Sequence, residues 1–173
     1  SVSGEHFDAL YRRRDDPWRV ETRWYEERKR ALTLAVLPHR SYERALEVGC
    51  SIGVLTEGLA TRVTALDAID VSAEAVARAR ARLDAAGVDG VVVEQRDVGE
   101  LDPTERYELI VLSEVGYYLD AAALESALDR LIGALTADGV LVAGHRRRDV
   151  DRIPSTGDRV HGALARRPLQ RGA

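Results

Sequence analysis

The sequence predicts one α/β unit, a mostly parallel sheet with helices on both faces. Two observations carry this: short continuous apolar runs alternate with helical patterns, and a glycine-bearing turn follows the first of those runs. A chain of 173 residues is long enough to bury one sizeable core and short for two. Residues 1–40 read as a helical lead-in or cap, and 41–173 as the main unit.

Five strands are expected, over 45–48, 63–69, 91–94, 109–112 and 140–143. Their near-continuous apolar character fits strands covered on both faces. A helix is expected from about 52–54 through Leu59, directly after the first strand. Another spans 74–86, with Val76, Ala79 and Leu83 on one stripe and Gly87 as its C-cap. Asp120 is placed to N-cap a third, whose stripe is Leu124, Leu128, Leu131 and Leu135, before Asp138-Gly139 turns the chain. In the lead-in, Asp15-Asp16-Pro17 marks a turn and 22–37 a helix. Trp24 and Tyr25 read as packing residues at the core edge, and Trp18 as the more open question.

The formal net charge is -4, so no global cationic surface marks a nucleic-acid binder, although Arg146, Arg147, Arg148 and Arg152 form a local run. Cys50 is the only cysteine, which excludes an internal disulfide and a thiolate metal cluster and suits a reducing, cytoplasmic setting. The longest uncharged apolar stretch, 31–38, is far short of the roughly 20 residues needed to span a bilayer. Neither nucleic acid nor membrane is therefore an expected partner.

Chemistry concentrates where the first strand reverses into a helix. Gly49 and Gly53 let the backbone approach a ligand without a Cβ in the way. Glu47 precedes the turn, where its carboxylate can receive a hydrogen bond or attract the cationic end of an amino-acid group, directly or through water. Asp70 ends the second strand, 21 residues after Gly49. A carboxylate at such a position can accept both hydroxyls of a ribose, although Asp70 can instead N-cap the helix starting near Ser72. Asp67 competes for the role but lies inside the strand. A dinucleotide fingerprint needs Gly-x-Gly-x-x-Gly, and the corresponding positions here are Gly49, Ser51 and Val54. The missing glycines disfavour a pyrophosphate, and with it an NAD-dependent oxidoreductase; they favour S-adenosylmethionine (SAM). Asp97 can accept from an adenine amino group while Val98 covers the ring, or it can simply close a loop turn. After the fourth strand, Ser113 to Tyr118 form a polar and aromatic lip at the carboxyl ends of the strands. Glu114 and Tyr117 are candidates to face a substrate there, whereas Tyr118 and Leu119 can equally anchor the next helix.

The run Ala45 to Thr56 resembles the first motif of class I SAM-dependent methyltransferases, a Rossmann-like fold, and Asp70-Val71-Ser72 resembles their second. Asp15 to Trp18, Trp24 to Lys29, Ser113 to Leu119 and Gly144-His145 are similar to the nodulation protein S (NodS) branch, across most of residues 7–162. That branch N-methylates the free amine of a deacetylated chitooligosaccharide. The resemblance implies Glu47, Gly49, Cys50, Gly53, Asp70, Asp97 and Trp18 at the cofactor, where Ser51, Val71, Val98 and Ser113 complete the candidate set, and Glu114 and Tyr117 at the acceptor. An amine acceptor must be neutral, and Glu114, then His145, then His161 are the candidates to take its proton. No metal is implied. Two departures stand out: Ser51 replaces the middle glycine of the commoner turn, and no sixth strand or antiparallel seventh is recognisable, so the C-terminal strands are expected to be missing. The implied activity is methyl transfer to an amine of a small molecule or saccharide. O-methylation of a similar acceptor, or a SAM-binding non-catalytic partner subunit, is the alternative.

Overall fold

A computed structural model describes residues 1–146, 154–167 and 169. In chain order the elements are α1 (Gly4–Arg13), α2 (Trp24–Ala35), β1 (Tyr42–Val48), α3 (Val54–Ala60), β2 (Val63–Asp70), α4 (Ala73–Ala86) and β3 (Val91–Gln95). They continue with β4 (Tyr107–Ser113), α5 (Ala121–Gly133), β5 (Leu135–Gly144) and α6 (Gly157–Ala165). Short 3₁₀ turns at Val98–Glu100 and Gly116–Tyr118 follow β3 and β4.

All five expected strands form one sheet in the order β3-β2-β1-β4-β5, and every neighbouring pair is parallel. Parallel strands need helical crossovers, which bury both faces. On one face Leu46, Val48, Ile110 and Leu112 meet Leu124, Leu128 and Leu131 of α5 and Val160 of α6. On the other, Ala45, Leu66, Leu109 and Val111 pack with Leu59 of α3, while Val76, Ala79 and Leu83 of α4 cover Ala68 and Val93. Strand order reverses between β1 and β4, which opens a crevice at their carboxyl ends.

Local chemistry sets the helix limits. Ser72 N-caps α4 through the Ala75 N–H, and Gly87 ends it in the left-handed region at φ 64°. Asp120 N-caps α5 through the Ala123 N–H. Leu135 departs from the expected helical stripe: α5 ends at Gly133, and Leu135 begins β5 opposite Tyr107. Asp138-Gly139 lies within β5, at a register shift between Tyr107 and Leu109, rather than in a turn before the strand.

The lead-in differs most from expectation. It contains a helix, α1, that the residue pattern did not announce, and α2 is shorter than 22–37. Trp24 is 71% exposed and Tyr25 is also exposed, so neither fills the core edge. Of the arginine run, Arg147, Arg148 and Arg152 lie outside the described residues. No helix among the described residues is long and apolar enough to cross a membrane.

Leu128 is fully buried where α5 meets the sheet. Leu128→Ala should therefore cost about 2–5 kcal/mol of unfolding free energy, read from the midpoint shift in chemical denaturation.

Candidate active site

At the crevice the chain encloses a cavity of about 490 Å³, within the range of small-molecule sites. Its floor is the β1 turn. Gly49 (φ 80°), Ser51 (φ 53°) and Gly53 (φ 81°) all take left-handed backbone. At Gly49 side chains are doubly excluded, because a Cβ would stand 2.1 Å from Val115 Cγ2. Ser51 tolerates the conformation through its contacts: its N–H donates to Asp70 at 2.9 Å, and its hydroxyl lies 2.6 Å from the Tyr11 hydroxyl.

Asp70 also accepts from the Ser72 N–H at 2.9 Å. Burial raises its pKa, and the Ser72 and Ser51 N–H groups oppose that rise. Each carboxylate oxygen thus holds one backbone donor and keeps a lone pair for a ligand. The capping alternative is resolved in favour of Ser72, whose own hydroxyl caps α4. Asp67 is occupied elsewhere, bound by Arg44 at 2.7 Å and by the Tyr107 hydroxyl at 3.0 Å.

Of the residues singled out in the sequence, Trp18, Gly49, Ser51, Asp70, Val71, Asp97, Val98, Ser113, Glu114 and Tyr117 line the cavity. Asp97 closes the loop turn, its side chain accepting from the Gly99 N–H as cap of the 3₁₀ turn, and the residue also borders the cavity. Tyr118 and Leu119 line it too. Trp18 is held edge-on by Tyr11, with ring centroids 5.3 Å apart.

Gly53, Cys50, Glu47, His145 and His161 are not among the residues that line it. Gly53 turns the backbone beneath α4, where an added Cβ would stand 3.2 Å from Ala79 Cα. The Cys50 side chain joins the core under α4, where burial drives its thiol pKa up. Glu47 is fully buried beside Thr56, and its Oε2 has no hydrogen-bond partner; burial pushes its pKa up to about 8. It therefore spends most of the neutral range uncharged, unlike the carboxylate expected from the sequence. His145 Nε2 accepts from the Gly116 N–H at 3.1 Å, so its basic lone pair is used. Burial, with His161 and Lys29 nearby, lowers its pKa to about 3. It braces the 3₁₀ turn and is not disposed to act as a base. His161 packs edge-on against it.

Sequence reading missed the charged wall opposite the glycine turn. Glu26, Lys29 and Arg146 all line the cavity. Lys29 Nζ lies 2.6 Å from Glu26 and 3.7 Å from Glu114, and Arg146 reaches Glu26 at 3.5 Å. Glu26 and Lys29 sit three apart on the inward face of α2, a spacing that only the placement of that face makes informative. Glu114 adopts φ 60°, accepts from the Tyr117 hydroxyl, and keeps a buried Oε1 with no hydrogen-bond partner. Burial and the Glu114 charge push the Tyr117 pKa far up, so the phenol remains a donor. Phe7 and Tyr11 of α1 roof the opposite end. No group of three or more His, Cys, Asp or Glu among the described residues is arranged to hold a metal ion.

Residues 6–165 match the family model described as Nodulation protein S (NodS). The chain is similar to Nodulation protein S of Rhizobium tropici, 38% identical over 135 residues covering 77% of this chain and 56% of that protein. It is also similar to Nodulation protein S of Sinorhizobium fredii, 35% identical over 75% of this chain and 60% of the relative. The chain thus spans little more than half the length of these curated relatives. Among solved structures, N-methyltransferase NodS from Bradyrhizobium japonicum WM9, in complex with S-adenosyl-L-homocysteine (SAH), superposes with a TM-score of 0.84 at 26% identity, covering 95% of this chain and 86% of that one. A putative methyltransferase from Pseudomonas syringae superposes with a TM-score of 0.70 at 41% identity, covering 86% and 89%.

Glu47 binds its proton more tightly folded than unfolded, its pKa rising from an ordinary 4.5 to about 8. The stability it contributes is present below pH 4.5 and declines as pH rises towards 8. Glu47→Gln should remove that decline, so that denaturation midpoints of variant and parent diverge progressively from pH 5 to 8, with the variant the more stable.

Proposed function

Because the chain belongs to the nodulation protein S family, we propose that it is a SAM-dependent methyltransferase whose acceptor is an amine, on an amino sugar or oligosaccharide. One observation carries this reading: a single cavity joins the glycine turn and Asp70 at one end to Glu114 and Tyr117 at the other. SAM fits the residues present. Gly49 gives an approach that any Cβ would fill, Asp70 keeps free lone pairs for ribose hydroxyls, and Val98 and Val71 offer apolar cover for the adenine. The likeness to N-methyltransferase NodS in complex with SAH supports the same choice.

When bound, SAM supplies a sulfonium methyl group open to in-line displacement. The chain's task is then mainly orientation, the largest contribution that a rigid site makes to a two-reactant step. An amine offers its lone pair only when neutral, so an acceptor that arrives as an ammonium needs a receiver for one proton; the lone pair then forms the N–C bond while the C–S electron pair stays on sulfur. Glu114, which lines the cavity and keeps a buried Oε1 without a hydrogen-bond partner, is that receiver. Tyr117 holds the other carboxylate oxygen and fixes the direction in which Oε1 points. The left-handed backbone at Glu114 aims the side chain into the crevice, a strain of about 1–3 kcal/mol that the surrounding structure sustains. Cytoplasmic residence is part of the proposal, supported by the single cysteine.

Calorimetric titration with SAM, SAH and NAD tests the cofactor assignment. SAM and SAH should bind, NAD should not, and Asp70→Ala should weaken both by at least tenfold; NAD binding in their place would sink the reading. Glu114→Gln should leave SAH affinity unchanged while lowering kcat about 10²- to 10⁴-fold, measured as SAH released with an amino-sugar acceptor.

A further inference from the structure

The charged wall of the cavity contains more than the proposed reaction uses. Glu26 is one of the few buried charged residues, with its side chain only 4% exposed. Beside it stand a second carboxylate, Glu114, and one flexible ammonium, Lys29, which reaches both. Buried carboxylates are costly unless a cation accompanies them. Lys29 supplies that cation, yet it satisfies the pair unevenly: 2.6 Å to Glu26 but 3.7 Å to Glu114, whose Oε1 it leaves without a hydrogen bond.

Two further contacts stay with the carboxylates when the lysine leaves. Arg146 holds Glu26 at 3.5 Å. The Tyr117 hydroxyl holds Glu114. In its present position Lys29 Nζ also lies 5.6 Å from the centroid of the exposed Tyr25 ring, which carries the Arg146 guanidinium at 5.2 Å. The Lys29 side chain is 20% exposed, so rotation of its flexible stem carries the ammonium away from the carboxylates towards solvent.

Building on the methyltransferase reading, we propose that Lys29 is a specificity-determining residue: its ammonium holds the place of the acceptor's ammonium between Glu26 and Glu114, and yields it when an amine docks. The exchange keeps the number of charges in the wall constant, so a cationic acceptor displaces Lys29 without leaving a carboxylate bare. A neutral acceptor of the same shape provides no such exchange. Once seated, the acceptor ammonium passes a proton to Glu114 and becomes the neutral amine that methyl transfer requires. Lys29 touches no reacting atom in this scheme; it selects the charge of what enters.

Lys29 is the only lysine in the chain, which makes the test direct. Binding of glucosamine and of N-acetylglucosamine to the SAH-loaded protein is measured by calorimetry for the parent, Lys29→Met and Lys29→Arg. Removing the internal occupant should tighten glucosamine binding about tenfold, retaining a cation as arginine should not, and N-acetylglucosamine should be indifferent to both changes. Equal or weaker glucosamine binding by the methionine variant, or no binding by any of the three, overturns the proposal while leaving the cofactor assignment standing, because SAH binding is read separately in the same experiment. Should Lys29→Met fail to fold, lysine-selective isotope labelling of the parent decides the matter from a single side-chain NMR signal. That signal should move on adding glucosamine and stay still with N-acetylglucosamine, and an unmoved signal with glucosamine refutes the exchange.

Discussion

The carboxylate of Asp70 ties together the two chain reversals from which the site is built. Through the Ser51 N–H it pins the turn leaving β1, and through the Ser72 N–H it pins the turn leaving β2. Buried acceptors that keep two backbone donors hold those donors in return, because an orphaned amide inside the protein is costly. The left-handed run at Gly49, Ser51 and Gly53 is consequently fixed in one shape, and α3 and α4 start where that shape delivers them. Ser51 occupies a conformation that a side chain ordinarily avoids. Its two hydrogen bonds, to Asp70 and with Tyr11, account for its persistence.

Position in the sheet explains why one end of the molecule carries so much chemistry. Parallel strands all present their carboxyl ends together, and the reversal of strand order between β1 and β4 separates the helices that would otherwise close the gap. Two left-handed non-glycine residues, Ser51 and Glu114, line this crevice just beyond the ends of those strands. Strain of this kind persists where neighbouring contacts outweigh it.

The strands were legible because parallel sheet leaves a strong local trace, continuous apolar runs such as 109–112. The turn chemistry was legible for a similar reason, since Gly49, Gly53 and Asp70 act through backbone geometry that short spacings encode. The failures share another cause. Leu135 continues the leucine spacing of α5 into β5, so periodicity alone misassigned it. His145 has the right chemical type but other surroundings, since burial and the Gly116 N–H occupy the imidazole, and the burial that raises the Glu47 pKa is likewise set by packing that its place in the motif does not encode. Glu26, Lys29 and Arg146 come from distant parts of the chain, and only the packing of α2 against the crevice makes a site of them. Trp24 shows the converse, an aromatic residue whose composition suggested packing and whose helix face points to solvent.

The helix α1 places Phe7 and Tyr11 over the cavity, anchors Asp8 to the Ser72 hydroxyl and the Glu74 N–H, and receives Arg78 of α4 on the Tyr11 carbonyl. It belongs at once to the roof of the site and to the packing of the domain. Whatever binds beneath it is in thermodynamic linkage with its docking: occupancy stabilises the docked helix, and each increment of docking stability returns as affinity. Local opening of this segment, read from the hydrogen-exchange rates of its amides, is accordingly slowed by any ligand that occupies the cavity in contact with Phe7 and Tyr11.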